Sequence, residues 1–394
     1  MGSNLPVPAS FPPPLHGSVD LLVIAGEHSG DQQAARMLRG VLGRNPDLKV
    51  AALGGAELAG AGAQLLFDLT ESSVVGLVEV VRNYGFFRHI FNQTLRWIET
   101  HRPRAVCLVD SPGFNLRLAR ALFERGLSRK GGGTVKVLYY ISPQIWAWKA
   151  GRRFTMARHL DALAVIFPFE VRCYADTGLP VDFVGHPFLS EEPAAVLPEH
   201  DRDGPVLLLP GSRRAAVSRI APVLLDAYAR YRAEGGDREA IIVTPGPDIR
   251  SLVEDLLAGR FGAPLPVGLI SRDQKVAGAA VLTSSGTMSL ACALAGIPGA
   301  IAYRANLLTY LIARRLIRVP YLGIANLILD ESIYPEYLQG AARPGALARE
   351  IRSALGDSDR LERTRKGAAE LRARLHKPET GGAADWLVTR LGSG

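Results

Sequence analysis

A cluster of anion-binding residue types follows the apolar run Val206–Leu209. The run ends at a Pro-Gly pair, which predicts a buried strand and a tight turn, and a helical pattern comes next. Gly211 and Ser212 would then lie at a helix N-terminus. Free backbone N–H groups there, together with Arg213 and Arg214, can bind an anion. An ordinary strand-to-helix turn with surface arginines is the alternative.

A second turn of the same kind covers Ser284–Thr287, between a predicted strand and a predicted helix, Met288–Ala295. The hydroxyl and N–H groups of Ser285, Gly286 and Thr287 could hold further phosphate oxygens. Ordinary helix capping is the alternative. The two turns together predict a diphosphate held by two helix ends.

Asp110 ends the apolar run Ala105–Val109. If this run is a strand of a doubly wound parallel sheet, its carboxyl end faces the ligand. The Asp110 carboxylate is then placed where a general base is needed. The alternative is an N-cap for a helix that begins near Asn115.

A polar turn also follows the apolar run Val19–Ile24. Glu27 could bond substrate hydroxyls, and Asp31 could cap the helix predicted over Gln32–Leu42. His28 could act as a base, although an ordinary polar loop histidine is the simpler interpretation. The residues of this turn are Glu27, His28, Ser29, Gly30 and Asp31.

Two stretches combine apolar and basic residues at helical spacing, one between Gly76 and Ile98 and the other between Arg304 and Arg318. A basic amphipathic helix can lie on an anionic bilayer, and packing in the core is the alternative. The membrane hypothesis assigns to the surface Tyr84, Phe87, Arg88 and Phe91 in the first stretch and Arg314 and Arg315 in the second.

The apolar runs alternate with helical patterns, which predicts an α/β fold with doubly wound parallel sheets. The dinucleotide pattern G-x-G-x-x-G and the Walker pattern are absent, so a nicotinamide enzyme is not expected. The other predicted strands are Val50–Leu53, Val135–Tyr140, Ala162–Phe167, Ile241–Val243, Leu265–Ile270, Ala280–Thr283 and Gly299–Tyr303.

The 394 residues exceed the length at which single cores stop growing, about 250–300 residues, so two domains are expected. We predict a disordered tail over 1–18, a Rossmann-like domain over 19–190, a linker over 191–204 and a second Rossmann-like domain over 205–342. The helical segment 343–394 is predicted to return to the first domain or to a partner. Two such domains would face a central cleft.

The formal net charge of +8 comes from scattered basic residues and suits phosphorylated substrates or an anionic membrane surface. No run approaches the roughly 18 apolar residues of a membrane span, and the proline-rich opening is unlike a signal peptide. We therefore expect a cytoplasmic protein. No nucleic-acid partner, metal or cofactor is expected, and a homodimer is compatible with the sequence.

Taken together, the motifs resemble the lipid-A-disaccharide synthase family, whose members are membrane-peripheral inverting glycosyltransferases with the two-domain GT-B fold. The resemblance extends in order from about Val19 to Gln339. The matching segments are AGEHSGD (Ala25–Asp31), VDSPGFN (Val109–Asn115), ISPQIWAWKAGR (Ile141–Arg152), FPFE (Phe167–Glu170), VGHPF (Val184–Phe188), LPGSR (Leu209–Arg213), SSGT (Ser284–Thr287), AYR (Ala302–Arg304), RVPYLGIANLI (Arg318–Ile328) and PEYLQ (Pro335–Gln339).

The resemblance implies transfer of 2,3-diacylglucosamine from its UDP derivative to the 6-hydroxyl of 2,3-diacylglucosamine 1-phosphate, with a β-1,6 linkage, at the inner face of the inner membrane. Asp110 would deprotonate the acceptor, and the two glycine turns would hold the departing UDP diphosphate. The first domain would bind acceptor and lipid and the second the UDP-sugar. Ile270 and Ser271 would lie near the uracil, Asn326 and Gln339 near the donor sugar, and Trp146 in the acceptor region.

Two positions depart from the family pattern. Ala216 follows the LPGSR segment and Ala291 lies in the helix after the SSGT turn, where the family usually has a glutamate. These alanines leave two alternatives open. One is another UDP-sugar transferase or epimerase of the same fold, and the other is a non-catalytic protein that binds nucleotide sugars or lipids.

Overall fold

The computed structural model describes residues 10–70, 84–190, 197–261, 264–271, 274–284, 286–306, 310 and 319–392. The chain forms two compact units, each with its own parallel sheet. The first unit comprises Met1–Ala194 and Leu375–Gly394, and the second comprises Ala195–Arg374. None of the described helices is long and apolar enough to span a membrane.

The first unit is built on a seven-stranded sheet whose strands pair in parallel in the order β3-β2-β1-β4-β5-β6-β7. Strands with both faces covered are apolar throughout, as β1 and β4 are: all five residues of each are buried. The strands are β1 (Leu21–Ala25), β2 (Val50–Gly54), β3 (Gln64–Asp68), β4 (Ala105–Val109), β5 (Lys136–Tyr140), β6 (Ala162–Val165) and β7 (Val181–Phe183).

Helices cover both faces of this sheet, which divides the core into two layers. Side chains of alternate strand residues contribute to opposite layers, so that Leu22 and Ile24 lie in one and Leu21 and Val23 in the other. The helices before the second unit are α1 (His28–Arg44), α2 (Ala56–Gly60), α3 (Tyr84–His101), α4 (Pro112–Glu124) and α5 (Arg152–His159).

The second unit has a six-stranded sheet in the order β11-β10-β9-β13-β14-β15 and a two-stranded sheet of β8 and β12. Its strands are β8 (Glu199–His200), β9 (Val206–Leu209), β10 (Ala240–Thr244), β11 (Val267–Ser271), β12 (Ala277–Gly278), β13 (Ala280–Thr283), β14 (Gly299–Tyr303) and β15 (Glu336–Leu338). Its helices are α6 (Arg214–Ala233), α7 (Pro247–Arg260), α8 (Thr287–Leu294), α9 (Ile324–Leu329) and α10 (Pro344–Gly356), followed by α11 (Ser358–Leu375), whose last residue belongs to the first unit. The strand β8 lies inside the segment predicted as a linker.

The last helix, α12 (Ala383–Leu391), packs on α1 in the first unit. Trp386 and Leu387 are buried in the core layer beside α1. Asp182, at the edge strand β7, accepts a hydrogen bond from the Trp386 indole at 3.1 Å and pairs with Arg390 at 2.5 Å. The helix α10 instead packs on α6, so the predicted C-terminal segment is divided between the two units.

In the helix α3, one residue that the membrane hypothesis assigned to the surface packs against the core. Phe91 packs against the core, and its ring meets that of Phe114 edge to face at 5.6 Å. Ile90 and Ile98 are fully buried, so this face of α3 serves the core. Phe87 is half-buried and Arg88 exposed, whereas the Tyr84 side chain, Arg314 and Arg315 lie outside the described residues.

Candidate functional site

The loops that follow β1 and β4 meet at the carboxyl edge of the first sheet. The strand order reverses between these two neighbours, and ligands of doubly wound sheets bind at such a switch point. A Cβ atom added to Gly26 would lie 3.0 Å from the Ser111 hydroxyl oxygen, and one added to Gly30 would lie 3.9 Å from the Cβ of Asp110. The fold therefore brings the two polar turns predicted from the sequence together.

Asp110 and Ser111 both have left-handed backbone conformations, with φ of 48° and 42°. Such conformations are rare for residues with a side chain and persist where surrounding contacts hold them. The Asp110 carbonyl accepts hydrogen bonds from Asn115 Nδ2 at 2.8 Å and the Tyr139 hydroxyl at 2.5 Å, and its N–H donates to the Tyr140 carbonyl at 3.0 Å. The backbone of Asp110 is thus fixed at three points.

The capping alternative for Asp110 is wrong, because α4 begins at Pro112 and its N-cap is Ser111. The pKa of Asp110 is raised from 3.8 to about 6. Burial is the main cause and the nearby charge of Glu27 adds to it, while the backbone N–H of Ser111 opposes the rise. A half-buried carboxyl group with a pKa near neutrality has the properties of a general base.

The other residues of the first turn divide into an exposed and a buried set. The helix α1 begins at His28, four residues before its predicted start, with Glu27 as its N-cap. Glu27, His28 and Ser29 are exposed at the same edge as Asp110, whereas Gly30 and Asp31 are buried.

Asp31 has an internal role, which corrects its placement among the substrate-facing residues. Its side chain is fully buried and accepts hydrogen bonds from the backbone N–H groups of Gly55 at 2.8 Å and Glu57 at 3.1 Å. These bonds satisfy N–H groups at the start of α2, so Asp31 caps a helix more than twenty residues further along the chain.

Trp146 lies in the loop after β5, half-buried, with its ring edge to face on Phe169 at 5.5 Å. The neighbouring Glu170 is buried and accepts a hydrogen bond from the Phe167 N–H at 3.1 Å. Burial raises the pKa of Glu170 to about 8, and hydrogen bonds from the backbone partly offset this rise. Glu170 therefore stabilises the turn after β6.

In the second unit the order of strands reverses between β9 and β13, and both predicted anion turns follow these strands. Gly211 has φ of 105°, and a Cβ added to it would lie 3.1 Å from the Ser284 hydroxyl oxygen, so the two turns are neighbours. Arg213, the N-cap of α6, is exposed, and no side chain of the described residues caps that helix.

Gly286, with φ of 139°, is the N-cap of α8, and Thr287 is exposed at its first position. Two helix N-termini therefore begin at one sheet edge, beside the exposed Ser212 and Arg213. This arrangement supplies backbone donors and positive charge to an anion. Ser285 lies outside the described residues.

Ile270 and Ser271 end β11, two strands away from β9, which is about 10 Å at the usual strand spacing. The Ile270 carbonyl accepts a hydrogen bond from the Thr244 hydroxyl at 3.0 Å. The Ser271 N–H donates to Gln274 Oε1 at 3.2 Å. Both residues thus lie at the carboxyl edge of the second sheet, with their backbone groups engaged locally.

The side chains of Asn326 and Gln339 are hydrogen-bonded within the second unit, and their role as sugar ligands stays a prediction. Asn326 is fully buried, accepts from the Tyr334 N–H at 3.0 Å and donates to the Tyr334 carbonyl at 2.7 Å and to Glu336 at 2.9 Å. Gln339 accepts from the Ala305 N–H at 2.9 Å and donates to the Ala305 carbonyl at 3.1 Å. Both amides position loops at this edge.

The two alanines that depart from the family pattern lie in α6 and in α8. Ala216 is half-buried in the first turn of α6, and Ala291 is 2% exposed in α8. A glutamate at position 216 would lie in the first turn of α6, where the helix dipole stabilises negative charge.

Several supporting residues escaped prediction from the sequence. Asn115 and Tyr139 hold the Asp110 backbone, and Glu170 accepts the Phe167 N–H within the turn after β6. Glu336 accepts hydrogen bonds from the backbone N–H groups of Leu322 and Gly323 at 2.9 Å each. The sequence offered one signal for these residues, because Asn115 and Glu170 lie inside the quoted motifs. Glu336 lies inside a quoted motif as well, whereas nothing local distinguishes Tyr139 from an ordinary strand residue.

Comparison with protein families gives one match over nearly the whole chain. Residues 21–389 match the family model described as lipid-A-disaccharide synthetase. A lipid-A-disaccharide synthase of Geobacter sulfurreducens is 36% identical over 382 residues, which cover 93% of this chain and 94% of the relative. One of Myxococcus xanthus is 35% identical over 375 residues, with 92% and 94% covered.

Solved structures with the same architecture share little sequence with this chain. The glycotransferase of kitacinnamycin superposes with a TM-score of 0.59 at 13% identity, covering 95% of this chain and 100% of that one. The UDP-GlcNAc 2-epimerase from Neisseria meningitidis, bound to UDP-GlcNAc, gives 0.58 at 12% identity, with 94% and 99% covered. These likenesses confirm the GT-B fold and carry no further conclusion.

Proposed function

The chain belongs to the lipid-A-disaccharide synthase family, and from this premise we propose how its residues carry out the reaction. The protein is a glycosyltransferase that uses a UDP-sugar donor. It transfers 2,3-diacylglucosamine from UDP to 2,3-diacylglucosamine 1-phosphate and forms the β-1,6-linked disaccharide 1-phosphate and UDP. No observation favours the epimerase or the non-catalytic alternative.

Asp110 is the proposed general base, and its environment is the observation that carries the proposal. With a pKa of about 6 the carboxylate is mostly ionised at neutral pH, yet basic enough to accept a proton. It takes the proton of the acceptor 6-hydroxyl while that oxygen attacks the anomeric carbon of the donor. The bond from that carbon to the diphosphate breaks on the opposite side, and the configuration is inverted.

The glycine turns of the second unit are the proposed site of the leaving diphosphate. Negative charge develops on UDP as the glycosidic bond breaks, and preorganised donors that meet this charge lower the barrier. Gly211 and Ser212 supply backbone N–H groups, Arg213 supplies a full positive charge, and the turn before Thr287 supplies a second helix end. The proposed diphosphate site therefore consists of backbone N–H groups and Arg213.

A direct assay tests the proposal. Pure protein is incubated with UDP-2,3-diacylglucosamine and 2,3-diacylglucosamine 1-phosphate, and UDP and the disaccharide are quantified. Stoichiometric formation of both supports it. UDP binding without product would favour the non-catalytic alternative, and product with a soluble sugar acceptor alone would favour another transferase.

Peripheral attachment to an anionic membrane is proposed for the segment that follows β5. Trp148 is 42% exposed and Phe154 53% exposed, unusually high for large apolar side chains. Cations cover both rings: Lys149 Nζ lies 4.4 Å from the Trp148 ring centre, and the Arg153 guanidinium lies 4.2 Å from that of Phe154. Aromatic rings beside cations suit the interface of an anionic bilayer.

Replacing Trp148 and Phe154 with alanine should weaken binding to phosphatidylglycerol vesicles about tenfold or more, because both rings lose their contact with the bilayer. Thermal stability should change little. Leu15→Ala is the control, since Leu15 is an apolar side chain that is 74% exposed in the same unit. An equal effect of the control, or lost stability with unchanged vesicle binding, would contradict the membrane role.

A further inference from the structure

A cavity of about 200 Å³ lies at the amino edge of the first sheet, where β4 and β5 begin. It is lined by Arg102, Pro103, Arg104, Ala105, Arg129, Thr134, Lys136 and Leu391, so half of its lining residues are cationic. Asp110 follows the other end of β4. Five residues of strand separate the two edges by about 16 Å. The cavity is therefore distinct from the proposed transfer site.

The backbone carbonyls at the end of α12 offset part of this positive charge. Lys136 Nζ donates to the Arg390 carbonyl, and Arg104 donates to the Leu391 carbonyl at 3.5 Å. A helix C-terminus carries only about half a negative charge, and each bond uses a single N–H of its donor. Arg104 also lies 3.4 Å from Asp20, a partly exposed pair that contributes little.

Among the residues that the structure describes, no carboxylate forms an ion pair with Arg102 or Arg129. Arg102 donates Nε to a backbone carbonyl, that of Glu99, at 2.9 Å. Burial lowers the pKa of the Lys136 ammonium, and the nearby charge of Arg129 lowers it further, while Asp161 opposes the change. Such mutual repulsion among cations is relieved when an anion binds between them.

We propose that this cavity binds an anion of the phosphate class. Guanidinium groups bind phosphate oxygens through paired, charge-assisted hydrogen bonds, and Lys136 adds a point charge. The volume equals that of roughly six or seven water molecules, which accommodates the five heavy atoms of a phosphate group. Either a free phosphate compound or a lipid headgroup could supply this group.

The experiment uses the full chain with saturating UDP, which occupies any diphosphate site of the second unit. Binding of inorganic phosphate is measured by line broadening in ³¹P NMR, and binding to vesicles of phosphatidylglycerol or phosphatidylcholine by flotation. The test variant is Arg102→Gln/Arg129→Gln, which keeps the Arg104 and Lys136 contacts with α12. The control, Arg125→Gln/Lys130→Gln, removes the same charge from neighbouring positions outside the cavity lining.

The test variant should weaken phosphate binding about tenfold or more, and the control less than about threefold. This result supports the site with a free phosphate compound as its ligand. Selective loss of flotation on phosphatidylglycerol, without phosphate binding, supports it with a lipid headgroup as the ligand. If neither probe distinguishes the two variants, and both retain the thermal stability of the native protein, the proposal is overturned.

Discussion

Replacing the proposed base by its isostere should make the protein inactive and more stable at once. Asp110→Asn removes the charge but keeps the shape, and asparagine tolerates the left-handed backbone, φ 48°, as well as aspartate does. Turnover should fall about a hundredfold or more, since no group then accepts the acceptor proton. Stability should rise, because the ionised carboxylate is half-buried and no cation is among the groups that shift its pKa.

The magnitude follows from the two pKa values of Asp110. The folded-state pKa of about 6 lies about 2 above the ordinary value of 3.8, which corresponds to about 3 kcal/mol. Because the folded pKa is raised, ionisation opposes folding: the penalty is absent well below pH 3.8, grows from there to about 6, and is complete above. Solvent screening of this partly exposed group lowers the expected gain to about 1–3 kcal/mol at pH 8.

Denaturant unfolding of Asp110→Asn and of the native protein at pH 5 and pH 8 measures this gain. About half of the pH 8 gain should remain at pH 5, where the folded carboxyl group is mostly protonated. Asp47→Asn, at an exposed position of the same unit, corrects for general effects of charge removal. Equal gains at both pH values, or a loss of stability at pH 8, would refute the desolvated-charge argument for Asp110.

Three further predictions concern other side chains of the two units. Glu27→Gln should shift the rise of kcat/KM with pH to lower pH, because removing this charge lowers the pKa of Asp110; an unchanged midpoint would exclude Glu27 as a cause. Asp31→Ala should lower the free energy of unfolding by about 2–4 kcal/mol, since two backbone N–H groups lose their acceptor; lost turnover at unchanged stability would return Asp31 to the site. Arg213→Ala should weaken UDP binding, measured by calorimetry, about ten- to a hundredfold, and Arg214→Ala less than about threefold; equal losses would argue against a specific contact.

Short-range patterns were sufficient for the elements that carry the site. The run Ala105–Val109 was predicted as a strand and is β4, because an apolar stretch of this length between turn residues is stable only when both faces are covered. The same reasoning placed Gly211 after β9 and Ser284 after β13. Parallel pairing then brings their carboxyl ends to one edge without further information.

Long-range contacts decided which polar residues remain available to a ligand. Asp31 and Glu27 belong to one polar turn. The Asp31 carboxylate nevertheless accepts hydrogen bonds from backbone N–H groups at the start of α2, whereas Glu27 is exposed. Asn326 is likewise hydrogen-bonded to Tyr334, eight residues away. In the same way the apolar side chain of Phe91 packs on the ring of Phe114. No local pattern specifies partners that meet only after the sheet has assembled.

The sequence by itself therefore determined the family, the two parallel sheets and the position of Asp110 at the end of its strand. The tertiary structure decided its chemistry. Burial and the charge of Glu27 raise its pKa to about 6, and Tyr139 and Asn115 hold its carbonyl in a left-handed turn. These effects arise from groups brought together by folding, because electrostatic fields and desolvation depend on distance in space and not along the chain.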